Sequence, residues 1–173
     1  MKDVIVGRVW TLGHDIDTDG IISGKYLTII DPNELKKHVF EIALPEFAKE
    51  ARPGDIIVAD VNFGSGSSRE HAPQALRAIG VSAILADSFA RIFFRNAINL
   101  GLPAVEAKGV RALFETGDTA RIEMRAGVIT NERTGRSIHF PPLPQHLIDL
   151  LEVGGLVEKV KRELLAQEAG APA

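Results

Sequence analysis

The sequence predicts an α/β protein with a parallel βαβ core and an added antiparallel β meander. Two strand–helix units follow one another: predicted strands at 56–60 and 81–86, both mainly apolar, each precede an amphipathic segment. Successive units of this kind favour parallel strands joined by right-handed crossovers. Apolar and charged residues then alternate over 120–125, which indicates a half-buried strand of the meander.

Length and composition indicate one globular domain. The chain has 173 residues, of which 45% are apolar and 25% are charged, so its size is ordinary and a core can form. We assign residues 1–168 to this domain and expect residues 169–173 to form a frayed tail. The formal net charge of −3 gives no support for binding to nucleic acid or to an anionic membrane.

The sequence has no cysteine, and we expect neither a signal peptide nor a membrane span. Residues 1–3 do not lead into the apolar region of a signal peptide, and no run approaches the ~20 apolar residues of a membrane span. We therefore expect a cytoplasmic protein. The lack of cysteine excludes disulfides and a cysteine-ligated iron–sulfur cluster on this chain.

The first strand is predicted at Val4–Trp10, which is rich in β-branched residues. It leads to an acidic turn at 14–20, whose D-x-D-x-D pattern suggests a calcium loop. An EF-hand loop that begins at Asp15 would have its glycine at Gly20, but its twelfth position must be glutamate and is Tyr26. We therefore interpret the turn as an Asx-rich loop that satisfies its own backbone.

A short helix is predicted after the segment Tyr26–Ile30. Asp31 suits the N-cap and Pro32 suits the first helical position. Further helical structure is expected at 45–49, and 52–55 is a turn. The apolar stripe of the short helix would consist of Leu35, Val39 and Ile42.

The segment Gly64–His71 reads G-S-G-S-S-R-E-H and connects the strand at 56–60 to a helix. Backbone N–H groups at a helix N-terminus are unpaired and favour negative charge, and Arg69 adds a guanidinium. The segment therefore indicates a site for a carboxylate or a phosphate. A dinucleotide motif would need glycine at position 69, and no Walker motif occurs here, so nucleotide binding is disfavoured.

Ser67 has two interpretations. With Glu70 it matches a capping box, in which Ser67 would be the N-cap of the helix. Pro73 would then be the sixth helical residue and would clash with the preceding turn, at a cost of about 3 kcal/mol. A helix that begins at Arg69 or Glu70 keeps Pro73 in the tolerated first turn. Ser67 and Ser68 are then free to face a ligand, which is the arrangement we favour.

The second helix is predicted to begin after Ser88, as its N-cap, and to end at Gly101. Arg91 and Arg95 lie one turn apart on it. They could form a solvated face, bind a ligand at the helix end, or contact a partner.

The rest of the chain is predicted to form the meander and a helical tail. Turns at 126–127 and 131–135 separate the strands, and Ile138 and Phe140 alternate in a third strand. The tail is interrupted at 154–155 by two glycines.

Three segments together resemble the aconitase superfamily. Gly64–His71 is similar to its G-x-G-S-S-R-E-H signature, and Asp17–Asp19 and Ser88–Phe93 are similar to two other motifs in order and approximate spacing. The resemblance covers roughly residues 4–160 and implies the swivelling-domain fold, with β/β/α layers. Among the members of this superfamily, a chain of this length resembles the free-standing small subunits of isopropylmalate isomerase-type hydro-lyases.

This resemblance implies a subunit of a hydro-lyase that interconverts 2-isopropylmalate and 3-isopropylmalate by dehydration and rehydration, in leucine biosynthesis. Enzymes of this family use a [4Fe–4S] cluster as Lewis acid. Because this chain has no cysteine, we expect the cluster on a large subunit and no cofactor or metal bound by this chain. The small subunit would be inactive without that hetero-oligomeric partner.

The resemblance also implies residue roles. Ser67 is expected to be the catalytic base, and Asp19 an active-site carboxylate. Ser68 would help to stabilise the Ser67 alkoxide, and Arg69 would bind a substrate carboxylate as a bidentate pair. The residues expected to support the loop are Gly64, Gly66, Glu70 and His71.

Thr28 lies in the segment that, by the same resemblance, reaches over the substrate and selects its side group. An arginine there would suit a third carboxylate, as in homoaconitase-like members. Thr28 is uncharged and Ile29 and Ile30 are apolar, so an isopropyl branch fits better, because burying a carboxylate without a cation is costly. Alternatively, the isoleucines belong to a strand or to the core.

Three other functions stay open from the sequence. The same chemistry could act on homoaconitate or on a methylated malate. The chain could be a non-catalytic interaction module of the same fold, although folding does not require Ser67, Ser68 and Arg69 together. A nucleotide- or phosphate-binding domain is the third.

Overall fold

A computed structural model describes residues 2–170, which form one seven-stranded sheet with helices packed against it. The sheet order is β4-β3-β2-β1-β5-β6-β7. Strands β1 to β4 are parallel, and β5 to β7 continue the sheet as an antiparallel meander beside β1. The strands are β1 (Val4–Thr11), β2 (Ile56–Ala59), β3 (Ala83–Ala86), β4 (Ala104–Glu106), β5 (Thr119–Glu123), β6 (Val128–Asn131) and β7 (Ser137–His139).

Helices occupy most of the connections in the described residues. Two single 3₁₀ turns lie at Gly24–Tyr26 and Lys36–His38. The α-helices are α1 (Thr18–Ile21), α2 (Pro32–Leu35), α3 (Phe47–Glu50), α4 (His71–Ile79), α5 (Arg91–Asn99), α6 (Val110–Leu113), α7 (Gln145–Glu152) and α8 (Leu156–Glu168).

Strand β1 belongs to both halves of the sheet. Residues 4–8 pair antiparallel with β5, and residues 9–11 pair parallel with β2. Gly7 lies just before this change of partner, and a Cβ atom there would come within 2.0 Å of the Gly54 carbonyl oxygen. Glycine therefore allows the turn before β2 to lie directly against β1.

The parallel strands separate two cores. Trp10 and Ile57 face a core that they share with buried residues of helices α4, α5 and α7. Val9 and Val58 face a second core on the other side of the strands. The meander contributes to this second core Ala120, Ile122, Met124, Ile129 and Phe140. The layers are helices, parallel strands and antiparallel strands, which confirms the predicted α/β class and its β/β/α layering.

A buried carboxylate, Asp118, fastens the meander to β1. Its side chain accepts hydrogen bonds from Arg133 Nε, from Asn131 Nδ2 at 2.7 Å and from the Glu115 N–H at 2.9 Å. Its carbonyl oxygen accepts from the Val9 N–H at 2.8 Å. The Arg133 guanidinium, followed by the Glu115 N–H, holds the pKa of Asp118 well below its usual range.

The short helix after residue 31 is confirmed in part. Asp31 caps α2 and Pro32 is its first residue, as predicted. Val39 is buried, but Ile42 is 84% exposed. The prediction that Ile42 shares the apolar face is wrong, because the 3₁₀ turn at Lys36–His38 ends the helical spacing before Ile42.

Within residues 2–170, no helix combines the length and hydropathy that a membrane crossing needs. Of the frayed tail predicted at 169–173, residues 171–173 lie outside the described part of the chain.

Candidate active site

The parallel strands bring three loops to one edge of the sheet. Because β1, β2 and β3 run in the same direction, the segments 12–17, 60–70 and 87–90 that follow them all lie at the carboxyl edge. Ligands of open α/β sheets bind in the crevice outside this edge. The three segments include residues of the three motifs that carry the resemblance to the aconitase superfamily.

Backbone hydrogen bonds join the acidic turn to the loop Gly64–His71. The Gly64 N–H donates to the Ile16 carbonyl at 2.7 Å, and the Thr18 N–H donates to the Ser65 carbonyl at 2.8 Å. These two bonds fix the loop beside helix α1.

The third motif holds the other side of the loop. The Phe63 N–H donates to the Ser88 carbonyl at 3.0 Å, and the Ala90 N–H donates to the Phe63 carbonyl at 2.9 Å. The Ser88 hydroxyl accepts from the Asn62 N–H at 2.8 Å. Helix α5 begins at Arg91, after Ala90. The prediction of Ser88 as its N-cap is therefore wrong, because residues 88–90 run extended against Phe63.

Two glycines of the loop have left-handed backbone conformations. Gly64 has φ of 81° and Gly66 has φ of 91°. A Cβ atom at Gly64 would lie 2.2 Å from Cγ of Phe93. Gly64 therefore allows the loop to pass directly over the Phe93 ring on α5.

Ser67 is not part of the helix that follows the loop. Helix α4 begins at His71 with Glu70 as N-cap, so Pro73 is its third residue. This is the arrangement that we predicted from Pro73. The Ser67 carbonyl accepts from the Thr18 hydroxyl at 3.0 Å and from the Arg69 N–H at 2.8 Å, so the backbone at Ser67 is held from both sides.

The hydroxyls of Ser67 and Ser68 are exposed. Within residues 2–170 neither hydroxyl has a hydrogen-bond partner, and neither backbone N–H has an acceptor. The loop is thus fixed by the Gly64 N–H and by the carbonyl groups of Ser65 and Ser67, and the hydroxyl and amide groups of Ser67 and Ser68 stay available.

Arg69 and Asp19 form an ion pair beside these serines. Arg69 Nη1 donates to Asp19 Oδ1 at 3.1 Å, and the Gly24 N–H donates to the same oxygen at 2.8 Å. A Cβ atom at Gly24 would lie 3.1 Å from Nη1 and 3.3 Å from Nη2, so glycine permits this close approach. The Gly24 N–H, and after it the Arg69 guanidinium, holds the pKa of Asp19 below its usual range.

The other two carboxylates of the acidic turn have different partners. Asp17 caps α1 by accepting from the Gly20 N–H at 2.6 Å. Asp15 accepts from Asn62 Nδ2 at 2.9 Å, which ties the turn to the residue before Phe63. The bond from the Gly20 N–H to Asp17 agrees with the predicted Asx-rich loop, whereas the contact of Asp15 with Asn62 was not predicted, because a contact across 47 positions leaves no local pattern.

Thr28 is exposed in the connection between the 3₁₀ turn Gly24–Tyr26 and helix α2. Ile30 beside it is 92% exposed, whereas Ile29 is half-buried and packs against the core. The segment contains no strand. It begins at Gly24, whose N–H binds Asp19, so the structure connects the Thr28 segment to the Arg69 ion pair.

Glu70 and His71 are at the start of α4. Within the described chain, their side chains make no hydrogen bond to the loop. Their role in supporting the loop stays a prediction.

The chain has no cysteine, the usual ligand of an iron–sulfur cluster. Among residues 2–170, no three His, Asp or Glu side chains form a group that could hold a metal ion.

Comparisons with known proteins identify a family and several relatives that this chain resembles. A family model described as the aconitase C-terminal domain matches residues 14–109. The 3-isopropylmalate dehydratase small subunit 1 of Methanopyrus kandleri is 56% identical over 94% of this chain and 96% of its own length. The isopropylmalate/citramalate isomerase small subunit of Methanocaldococcus jannaschii is 45% identical over 95% of this chain and 98% of its own length.

A solved structure has the same fold. It is a crystal structure of 3-isopropylmalate dehydratase from M. jannaschii, with a TM-score of 0.91 and 39% identity, covering 97% of this chain and 99% of that one. The chain therefore belongs to the small subunits of 3-isopropylmalate dehydratase, within the aconitase C-terminal domain family.

Proposed function

We propose that this chain supplies Ser67 as the base and Arg69 as a substrate ligand for interconverting 2-isopropylmalate and 3-isopropylmalate, in an active site shared with a large subunit. The observation that carries the proposal is the pair of exposed, unpaired hydroxyls at Ser67 and Ser68 beside the Arg69 guanidinium. Neither hydroxyl contributes a hydrogen bond to the fold within the described chain, so their presence suits a ligand.

Dehydration of a malate derivative requires removal of a weakly acidic proton from the carbon next to a carboxylate. The Ser67 alkoxide takes this proton, the C–H electron pair becomes the second bond of the alkene, and hydroxide leaves from the adjacent carbon. Rehydration adds hydroxide to the other carbon, and Ser67 returns the proton. The product is the isomer with its hydroxyl moved by one position.

Serine is a weak base unless its alkoxide is stabilised. The free N–H groups of Ser67 and Ser68, the Ser68 hydroxyl and the Arg69 charge are the available stabilising groups. Each unit by which the serine pKa falls corresponds to about 1.36 kcal/mol. Fixed dipoles of this kind stabilise a developing anion most effectively where water is excluded, and a large subunit that covers the exposed loop would exclude it.

Arg69 is suited to bind one substrate carboxylate. Asp19 occupies Nη1, and within residues 2–170 no acceptor is bound to Nε or Nη2. These two groups form one edge of the guanidinium, which matches the two oxygens of a carboxylate. Asp19 is then the active-site carboxylate that holds the opposite edge.

The electrophile that assists departure of hydroxide would be a [4Fe–4S] cluster held by the large subunit. The residues described here do not fit such a cluster, and we assign this chain the base, the carboxylate ligand and the substrate side-group contact at Thr28.

Isopropylmalate is the proposed substrate because the similar proteins are named for it and because Thr28 and Ile30 present no cation to a third carboxylate. A second candidate is a methylated malate, since the M. jannaschii relative is named for citramalate as well. Its methyl branch has the same apolar character.

Replacing Ser67 by alanine tests the role of the base. The chain would be combined anaerobically with the cluster-bearing large subunit, and isomer formation would be measured. We expect Ser67→Ala to lower kcat by about 10²–10⁴-fold, the usual contribution of a positioned base, with assembly unchanged. Ser137→Ala, a hydroxyl in the meander, is the control and should keep full activity. Full activity of the Ser67→Ala complex would overturn the proposal.

A substrate panel tests the assignment of the side group. We expect kcat/KM to be highest for 2-isopropylmalate, lower for citramalate and lowest for homoaconitate, because only the last adds a charged branch. The chain alone should show no activity. A preference for homoaconitate would contradict the interpretation of Thr28.

A further inference from the structure

A groove of about 650 Å³ lies at the same edge of the sheet as the Ser67 loop. Its lining includes Asp87 and Phe89, which follow β3, and Glu106 and Lys108, at and just beyond the end of β4. Because β1 to β4 are parallel and adjacent, the groove is at the carboxyl end of β3 and β4, and the Ser67 loop is at the carboxyl end of β2. The groove and the Ser67 loop therefore lie on the same face of the molecule.

The groove has apolar walls that are continuous with the packing under the loop. Phe89 and Phe94 form one wall, with ring centroids 5.9 Å apart, and Leu143 lies in the proline-rich segment that also lines the groove. Phe89 also packs edge-to-face against Phe63, at 5.9 Å. Since Phe63 directly precedes Gly64, the groove and the loop share a packed ring cluster.

Unmatched cations line the groove. Arg91, Arg95 and Lys108 are exposed, and within the described chain none of their side chains has a hydrogen-bond acceptor or an ion pair. The two carboxylates of the groove are already hydrogen-bonded to backbone, Asp87 to the Gly109 N–H and Glu106 to the Phe89 N–H. The groove therefore has free donors from three cations, in a chain whose formal net charge is −3.

We propose that this groove receives a segment of the large subunit that carries carboxylates next to apolar side chains. The inference rests on the proposed function, because a partner that completes the site at Ser67 must cover this edge of the sheet. A segment of that composition would pack on Phe89 and Phe94 and would accept hydrogen bonds from the arginines and the lysine. The positions Arg91 and Arg95, one turn apart on α5, would thus be partner contacts.

Charge reversal tests the proposal. The dissociation constant of the full chain for the large subunit would be measured anaerobically by sedimentation or calorimetry, at low and high salt. We expect Arg91→Glu/Arg95→Glu to weaken binding by at least about 100-fold, because truncation or reversal at desolvated interface charges commonly costs several kcal/mol. The wild-type affinity should fall with salt, and that of the variant should depend on salt much less.

The matched control is Arg52→Glu/Arg77→Glu. It makes the same change of charge on exposed arginines at the opposite edge, where Arg52 precedes β2 and Arg77 lies in the last turn of α4. This control should bind within about twofold of wild type, and circular dichroism would show that both variants are folded. A milder pair, Arg91→Ala/Arg95→Ala, should give an intermediate loss.

Binding and turnover report on different proposals. Ser67→Ala should lower turnover by about 10²–10⁴-fold and leave the dissociation constant unchanged, whereas the Arg91/Arg95 variants should recover turnover at saturating large subunit. Unchanged affinity in Arg91→Glu/Arg95→Glu would overturn the docking proposal without affecting the role of Ser67. Saturable binding of phenylacetate to the isolated chain, lost in this variant while assembly is unchanged, would instead assign the groove to a small carboxylate.

Discussion

The contacts of one oxygen, Asp19 Oδ1, link two parts of the candidate site. This oxygen accepts from Arg69, which we propose binds substrate, and from Gly24, which begins the segment that contains Thr28. The side chain of Asp19 is 65% exposed and that of Arg69 is 28% exposed, so the arginine is the better-packed member of the pair. We therefore expect Asp19 to act by positioning, because its contacts orient the guanidinium and hold the Thr28 segment close to it.

Two substitutions of Asp19 separate these effects. Asp19→Asn keeps an oxygen that can accept from Gly24 but loses the charge that holds Arg69, and Asp19→Ala loses both. We expect kcat/KM for 2-isopropylmalate to fall about tenfold in Asp19→Asn and about 100-fold in Asp19→Ala, with most of the change in KM. Hydrogen exchange of the Gly24 amide should accelerate only in Asp19→Ala.

Asp31→Ala, which removes the cap of α2, is the control for loss of an exposed acid and should leave kcat/KM unchanged. Equal kinetics in wild type and both Asp19 variants would show that the ion pair has no part in binding.

Features that depend on residues close together in the sequence could be predicted, whereas contacts between distant positions could not. Pro73 alone placed the start of α4 after Ser67, because a proline fits only the first turn of a helix. Ser88 was misassigned because its hydroxyl binds Asn62, which is 26 positions away. The contact of Asp19 with Arg69 spans 50 positions, so only the resemblance to a family associated the two motifs.

At the scale of elements, the unit β2–loop–α4 depends on Gly64. Its left-handed backbone could be expected from a glycine in a turn, but its packing against Phe93 of α5 could not, because that contact depends on how the second helix lies on the sheet. The strand and helices that were not predicted, β4, α1 and α6, are only three or four residues long, too short for a periodic pattern.

Alanine at two glycines separates backbone strain from crowding. Gly64 and Gly109 have nearly equal φ angles, 81° and 79°, but an added Cβ at Gly109 meets nothing within 4 Å. We expect Gly109→Ala to lower the free energy of unfolding by about 1–2 kcal/mol, because alanine is strained in the left-handed conformation even where its Cβ has room. Gly64→Ala should cost about 1–3 kcal/mol more, because Phe93 must move.

Urea denaturation of both variants provides the measurement. Equal losses would mean that the Phe93 ring moves aside freely and that the loop is not held by this contact.

For the whole molecule, stability depends on β1, since both cores and both halves of the sheet include it. The class could be predicted, because two strand–helix units and one alternating segment identify both types of sheet, whereas the layer order followed only from the resemblance to the aconitase superfamily. The sharing of β1 could not, since nothing in residues 4–11 indicates that their partner changes partway along the strand.

Asp118 makes the attachment of the meander dependent on pH. Its pKa is lowered in the folded chain, so its contribution to stability is complete above the ordinary carboxyl value of about 3.9 and is lost as the pH falls from there towards the folded value. We expect the urea midpoint of the wild type to fall steeply below about pH 4. Asp118→Asn should be less stable at pH 7 and should show a smaller fall in the same range.

The same steep fall in the Asp118→Asn variant would assign the acid sensitivity to other carboxylates. Asp31→Asn, an exposed acid, is the control for removing one negative charge and should follow the wild-type curve.

The divided pairing of β1 also has a consequence for synthesis of the chain on the ribosome. Ile5 is translated early, but its partner Ile122 emerges only after β2, β3 and β4 are complete. Until then, one side of the amino-terminal strand is an open edge that can pair with another nascent chain. Translation that stalls before Thr119 would therefore leave a product prone to aggregate, although its parallel strands are all present.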